Sequence, residues 1–356
     1  MTPKPNAPST IGDGPAPRAC YNGIRAYAPD ARGCRIDLSD NTNQWGPPPA
    51  ALRALRSSTP GNIARYPEPY SATLRECLAQ YAGVVPEMIV AGCGSDDIID
   101  SAMRAFGEPG ETLCLADPTF TMVPVFAAVN GLSVATVPFD AQFEISADAV
   151  LATGAQVIYL CSPNNPTGTT LPFSLMKRIV EHAKGLVIVD EAYIEFGGES
   201  ALPLVASGKV LVTRTLSKAF GLAGLRAGYG IGSAAVIAAI EKARGPYKVN
   251  AIAEVVAAAA VTEDLGWLSE RVADTHNNRA RFFRELTALG FAPIPSAANF
   301  VLVPVSNCSE AADRLRDGGI AARAFQSLAG IGDALRITIG PWEMMQPCLD
   351  ALKGSR

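Results

Sequence analysis

Seven short apolar runs recur between residues 88 and 231, rich in β-branched side chains and separated by stretches with helical periodicity. They are Met88-Ile89-Val90, Thr112 to Leu115, Leu132 to Val137, Val157 to Leu160, Leu186 to Val189, Val210 to Thr213 and Ala227 to Ile231. Strands that are apolar at consecutive positions are buried on both faces, and helical connections between them make the sheet mainly parallel. The chain from about Glu87 therefore predicts a large α/β domain with helices on both faces. An Ala-rich helix from Asn250 follows, then a basic amphipathic stretch, Asp274 to Leu289. A strand-helix-strand set near Asn299 to Val305, Ala311 to Gly318 and Leu335 to Ile339 predicts a smaller C-terminal α/β domain. A length of 356 residues accommodates two such units, and Pro47-Pro48-Pro49 reads as a stiff connector.

Composition narrows the function. Against 34 Asp and Glu, 30 Lys and Arg leave a net charge of −4, which gives no cationic field for nucleic acid. The two histidines, His182 and His276, supply neither a His-rich metal site nor a basis for a Ser-His-Asp triad, and both read as structural; no metal is expected. None of the eight cysteines forms a C-x-x-C pair, and several sit in apolar runs, a pattern of buried thiols in a reducing cytoplasm. Residues 1–18 lack the apolar stretch of a signal peptide and read as a mobile arm. The most apolar helical stretch, Ala251 to Val261, is too short to span a bilayer and carries Glu254, so no membrane segment is expected.

In parallel sheets ligands bind beyond the carboxyl ends of the strands. Three of those ends are unusually polar here. Val157 to Leu160 runs into Cys161-Ser162-Pro163-Asn164-Asn165-Pro166-Thr167-Gly168. Leu186 to Val189 runs into Asp190-Glu191-Ala192-Tyr193, and Val210 to Val212 into Thr213-Arg214-Thr215-Leu216-Ser217-Lys218, with Arg226 eight residues on. A buried aspartate must be paired, so Asp190 is expected to face a cation. Thr215, Ser217 and Arg226 offer a phosphate site, and Lys218 an amine that can become a nucleophile. Gly92-Cys93-Gly94-Ser95-Asp96-Asp97 leads into an apolar-periodic helix, Ile98 to Phe106, whose N-terminal amides suit an anion. Asp97 stands where a dinucleotide fingerprint needs a third small residue, which argues against a NAD site. Pyridoxal phosphate fits the whole set: an aldehyde for Lys218, a ring nitrogen for Asp190, a phenolate oxygen for Tyr193 and Asn165, and a phosphate for the rest.

These blocks resemble the fold type I pyridoxal-phosphate aminotransferases, and within them the histidinol-phosphate aminotransferase family. The similarity rests on Arg65-Tyr66-Pro67-Glu68-Pro69, Gly94 to Ile99, Asp117-Pro118-Thr119-Phe120, Ser162 to Gly168, Val189 to Phe196 and Arg214 to Arg226. Pro246 to Asn250, Ala298-Asn299-Phe300 and Leu335-Arg336 extend it, so that it runs from about Asp37 to Gly340. The resemblance implies that Lys218 forms the internal aldimine and shuttles a proton, that Asp190 keeps the ring nitrogen protonated, and that Tyr193 acts beside them. It further implies that Phe120 stacks on the ring, that Asn165 and Tyr193 hold its O3′, and that Ser95, Asp96, Thr215, Ser217 and Arg226 hold the phosphate. Tyr66 would reach the phosphate of a neighbouring subunit, making a homodimer with shared sites. The divisions implied are an arm at 1–18, a segment at 19–45 joining the small domain, a large cofactor domain at 46–257 and a small domain at 258–356.

For substrate, the resemblance assigns Arg336 and Arg323 to acidic groups, with Asn165, Tyr27 and Asn41 at the mouth. The expected reaction is ping-pong transfer from histidinol phosphate to 2-oxoglutarate. An aromatic amino-acid aminotransferase and a threonine-phosphate-type decarboxylase stay open beside it. The family's Asn-Glu-Asn-Pro is replaced by Ser39-Asp40-Asn41-Thr42, and its Gly-Thr by Gly340-Pro341-Trp342. Both departures flank the substrate side, where Trp45 is a candidate for facing the ligand.

Overall fold

The computed structural model describes residues 15, 17–24, 26 and 33–353. The expected arm and Tyr27 lie wholly or mostly outside them. Seven strands form the central sheet: β1 Ile89–Gly92, β2 Thr112–Asp117, β3 Ser133–Pro138, β4 Val157–Cys161, β5 Leu186–Asp190, β6 Val210–Thr215 and β7 Gly228–Gly232. Their order is β1-β7-β6-β5-β4-β2-β3. All pairings are parallel except those of β7, which runs antiparallel to β1 and β6. β3 departs from the two-face burial expected of its run: it is the sheet edge, with Ser133 and Val134 exposed.

Alternation along the strands divides the core. Ile158 and Leu160 of β4, with Val187 and Val189 of β5, join one apolar cluster, while Val157, Tyr159, Leu186 and Ile188 join the cluster on the opposite face. Helix α1, Pro49–Arg56, starts in the proline run; α3, Ala251–Glu263, contributes Val256, Ala257, Ala260 and Val261 to the first cluster. Helix α2, Gly94–Phe106, brings Ile98, Ile99, Ala102 and Met103 to the second. Each such fully buried branched side chain contributes roughly 1.5–3 kcal/mol. α2 begins four residues earlier than its apolar periodicity suggests, because Gly94 takes a φ of +80° at the turn out of β1.

The C-terminal region carries β8 Phe300–Pro304, β9 Arg323–Leu328 and β10 Gly332–Thr338 in the antiparallel order β9-β10-β8. Helices α5, Cys308–Asp317, and α6, Trp342–Leu352, pack in the same cluster as Ile36 and Leu38. A two-residue parallel pairing of Ile36–Asp37 with Ile320–Ala321 ties the N-terminal segment to this region. The simple strand-helix-strand expectation is corrected by the β9-β10 hairpin. Its first strand carries too few buried apolar positions to stand out in sequence. The basic amphipathic stretch is part of one 24-residue helix, α4, Leu265–Ala288. Leu268 near its start packs in the large core, whereas Phe282 and Leu286 near its end pack in the small one.

Candidate active site

The parallel registers Cys161↔Asp190 and Asp190↔Thr213 bring the carboxyl ends of β4, β5 and β6 level. They open on a cavity of about 1070 Å³. Ser95, Asp96, Phe120, Asn165, Asp190, Tyr193, Thr215, Ser217, Lys218 and Arg226 all line it, as do Asn41, Arg323 and Arg336. Tyr66 does not; it is 84% exposed, its ring 4.9 Å from that of Tyr247. Trp45 and Trp342 are absent from the cavity lining. Trp342 instead carries the Arg281 guanidinium 3.6 Å above its ring.

One end of the cavity is the N-terminus of α2, where Ser95 and Asp96 line it. The first-turn amides of a helix have no intrahelical acceptor, and Cys93 at the N-cap supplies no side-chain acceptor. A Cβ on Gly94 would lie 2.8 Å from Arg226 Nη2, and one on Gly228 would lie 2.5 Å from the Ser95 amide nitrogen. At Gly228 the contact is with backbone, which only glycine permits, and at Gly94 the φ of +80° also favours glycine. Arg226 Nη1 donates to Ser217 Oγ over 3.5 Å, and the Ser217 amide donates to Thr215 Oγ1 over 3.1 Å. Asp96 sits 3.7 Å from Arg226 Nη2, with its pKa raised by burial.

Asp190, 3% exposed, lies deeper. Tyr159 Oη donates to its Oδ2 over 2.7 Å; Thr213 Oγ1 and the Ala192 amide donate to Oδ1 over 3.1 and 3.2 Å. The expected cationic side-chain partner is not what the fold supplies: three neutral donors hold this carboxylate. Burial pushes its pKa up to about 6 despite those hydrogen bonds. Lys218 Nζ donates to the Asp40 carbonyl over 2.8 Å and stands 6.0 Å from the Tyr193 ring centroid. Burial first and Arg336 second bring its pKa down to about 8, which leaves a substantial neutral fraction near neutral pH.

The N-terminal segment crosses the cavity and holds three of these groups. Asn41 Nδ2 donates to Tyr193 Oη over 3.0 Å, Asp40 O accepts from Lys218 over 2.8 Å, and Ser39 O accepts from Arg336 Nη2 over 2.7 Å. Asn41 sits at φ +60°, fixed by its amide's bond to Thr338 Oγ1 and by Asn299 Nδ2 on its carbonyl, both 3.0 Å. Burial raises the Tyr193 pKa, and its ring meets Phe300 edge-on at 5.1 Å. Arg336 Nη1 donates to Asn165 Oδ1 over 2.6 Å, and its Cζ lies 5.5 and 5.6 Å from the Phe300 and Phe325 ring centroids. Arg323 stands opposite Arg336 in the β9-β10 register, so one hairpin presents both guanidinium groups to the cavity.

An amine, a buried carboxylate and a helix N-terminus gather at the carboxyl edge of the sheet. The model of the aminotransferase class I and II family matches residues 35–352. The chain belongs to this family. Class I and II aminotransferases move an amino group between an amino compound and an oxo acid. Histidinol-phosphate aminotransferase 2 of Thiobacillus denitrificans is 36% identical over 89% of this chain and 90% of its own. The histidinol-phosphate aminotransferase of Roseiflexus castenholzii is 40% identical over 89% of both. Among solved structures, that of histidinol-phosphate aminotransferase from Sinorhizobium meliloti with pyridoxal-5'-phosphate superposes with a TM-score of 0.87 at 27% identity. It covers 97% of this chain and 98% of that one.

The sequence reading of this aminotransferase missed several residues. Tyr159 lies within an apolar run and gives no sign that its hydroxyl reaches Asp190. Asn164 is buried in the Ser162 to Gly168 turn and donates to the Pro118 carbonyl over 3.0 Å and to Thr167 Oγ1 over 2.9 Å. It holds that turn so that the next residue, Asn165, meets the cavity. Asp313 and Arg316 of α5 also line the opening, and their separation of three on a helix is the signal that could have found them. His276 Nε2 lies 2.8 Å from the Phe196 carbonyl, tying α4 to the turn after Tyr193, a structural role as expected.

Proposed function

We propose that this aminotransferase uses pyridoxal 5'-phosphate to pass the amino group of histidinol phosphate to 2-oxoglutarate. The reading is carried by Asp190, a buried carboxylate that lines the cavity, holds only neutral donors and shares that cavity with the Lys218 amine and the glycine-bounded cradle. The residues fit the coenzyme: Asp190 suits a protonated ring nitrogen, Ser95, Asp96, Thr215, Ser217 and Arg226 suit its phosphate, Phe120 its ring face, and Asn165 and Tyr193 its phenolic oxygen. When bound, the coenzyme supplies an electron-poor ring that stabilises negative charge at the substrate's Cα.

The chain's own groups do the rest. The lowered pKa would leave the Lys218 amine free to react with the coenzyme's aldehyde and to take and return a proton at the substrate's Cα. Arg336 and Arg323 bind the donor's phosphate, then the acceptor's carboxylate, since a planar fork accepts either. Tyr66, exposed together with Ile63 and Tyr247, is proposed to complete the site of a second subunit in a homodimer. Eight free cysteines support a cytoplasmic location. The large and small domains are proposed to meet along this cavity, with α4 as their shared element.

The test is a half-reaction. Purified holoenzyme mixed with histidinol phosphate in single turnover is expected to lose the imine absorbance and gain that of the pyridoxamine form. No change with histidinol phosphate but a fast one with phenylalanine or tyrosine would transfer the assignment to an aromatic donor. Carbon dioxide release from threonine phosphate would assign a decarboxylase.

A further inference from the structure

Asp190 stands at the end of β5, between β4 and β6, and the strand registers decide which side chains can reach it. On β6, Thr213 is its direct partner, and Thr213 Oγ1 donates to Oδ1. On β4, Cys161 is the direct partner, and Tyr159 lies two residues earlier, opposite Ile188. Two residues along a strand return to the same face, so the long Tyr159 side chain points the way Cys161 does and its hydroxyl spans back to Oδ2. That bond, at 2.7 Å, is the shortest of the three on the carboxylate and its sole contact at Oδ2 among the described hydrogen bonds. The ring itself is fully buried in the cluster of Val157, Ile188 and Leu211. A phenol buried there needs a partner, and beside the Cys161 sulfur the carboxylate, at 2.7 Å, is the charged acceptor within reach of its proton.

We infer that Tyr159 is a positioning residue for the reaction: through its hydroxyl it holds the Asp190 carboxylate as an anion in the orientation that meets the coenzyme's ring nitrogen. This rests on the function proposed above. The argument is one of charge and geometry. A carboxylate in an apolar strand end is costly unless donors solvate it, and a hydrogen bond to a charged group is stronger than one between neutral groups. Thr213 and Ala192 serve Oδ1 alone, so without Tyr159 the other oxygen would lose its one donor among the described hydrogen bonds. The carboxylate would then favour its protonated form, which cannot stabilise a ring cation. Burial already pushes Asp190 upward, and Tyr159 is foremost among the groups that oppose that rise.

The test compares reconstituted wild type with Tyr159→Phe, Asp190→Asn and the double variant. The wild type is expected to develop the imine absorbance; if it does not, the coenzyme assignment itself fails, separately from this inference. Given that absorbance, Tyr159→Phe is expected to release the coenzyme about tenfold faster and lower kcat about tenfold, the low end for losing a hydrogen bond to a charge. KM for the amino donor should move less than twofold. Adding Tyr159→Phe to Asp190→Asn should change neither quantity further. Thr213→Val is expected to give a smaller effect of the same kind. A Tyr159→Phe holoenzyme indistinguishable from wild type overturns the inference. So does a loss that recurs in full in the Asp190→Asn background, since Tyr159 would then act on packing and not through Asp190.

Discussion

Asp190 and Lys218 are both held away from their ordinary charge states, in opposite senses. For Asp190 the pKa rises from 3.8 to about 6, so the folded apoprotein binds more protons than the unfolded chain between those values. Its stability therefore falls as pH rises through that window, and the penalty is complete above about pH 6. Asp190→Asn is expected to raise the melting temperature of the apoprotein at pH 8, by up to roughly 3 kcal/mol in stability, and the gain should vanish near pH 4. Calorimetry checks it; a lower melting temperature at pH 8 would contradict it. Holoenzyme turnover should fall by orders of magnitude in the same variant, separating chemistry from stability. For Lys218, depressed to about 8, capture of the coenzyme aldehyde by apoprotein should speed up as pH rises and level off above about pH 8. A rate still climbing about tenfold from pH 8 to pH 9 would mean an ordinary lysine.

At the level of strands and helices, the site depends on close backbone approaches. Gly228 of β7 leaves no room for a methyl group beside the Ser95 amide, so Gly228→Ala must push α2 away from the sheet. It is expected to cost about 1–3 kcal/mol of stability, as overpacking does, and to weaken coenzyme binding; thermal melts and coenzyme titration read both. Gly266→Ala in α4, where nothing lies within 4 Å, should stabilise slightly instead. The seven sheet strands were legible because each is a compact apolar run, and the site emerged because three runs end in polar residues. The β9-β10 hairpin was not legible, since Arg323–Leu328 is mostly half-exposed and has no apolar run. Tyr159 was hidden for the opposite reason: inside a strand buried on both faces, a tyrosine looks like any other core residue, and only the register reveals what its hydroxyl meets. No cationic side chain of the chain itself bonds Asp190 among the described hydrogen bonds, because hydroxyls from its two neighbouring strands solvate the carboxylate, and that too could not be read from sequence.

For the molecule as a whole, the proposed dimer makes Tyr66 of one subunit part of the other's site. Mixed subunits test this without any structure of the assembly. Lys218→Ala and Tyr66→Ala subunits, unfolded, mixed equally and refolded, place one intact site in each hybrid dimer. About a quarter of wild-type activity should return, as a two-fold symmetric pair with shared sites requires. Activity no greater than the mean of the two parents would place Tyr66 outside the site. Beneath every one of these expectations lies the capture of the coenzyme by a single amine. Holoenzyme reduced with borohydride and digested should yield one peptide carrying the reduced coenzyme, on Lys218. A protein that stays colourless with the coenzyme, or an adduct on any other lysine, would contradict the account.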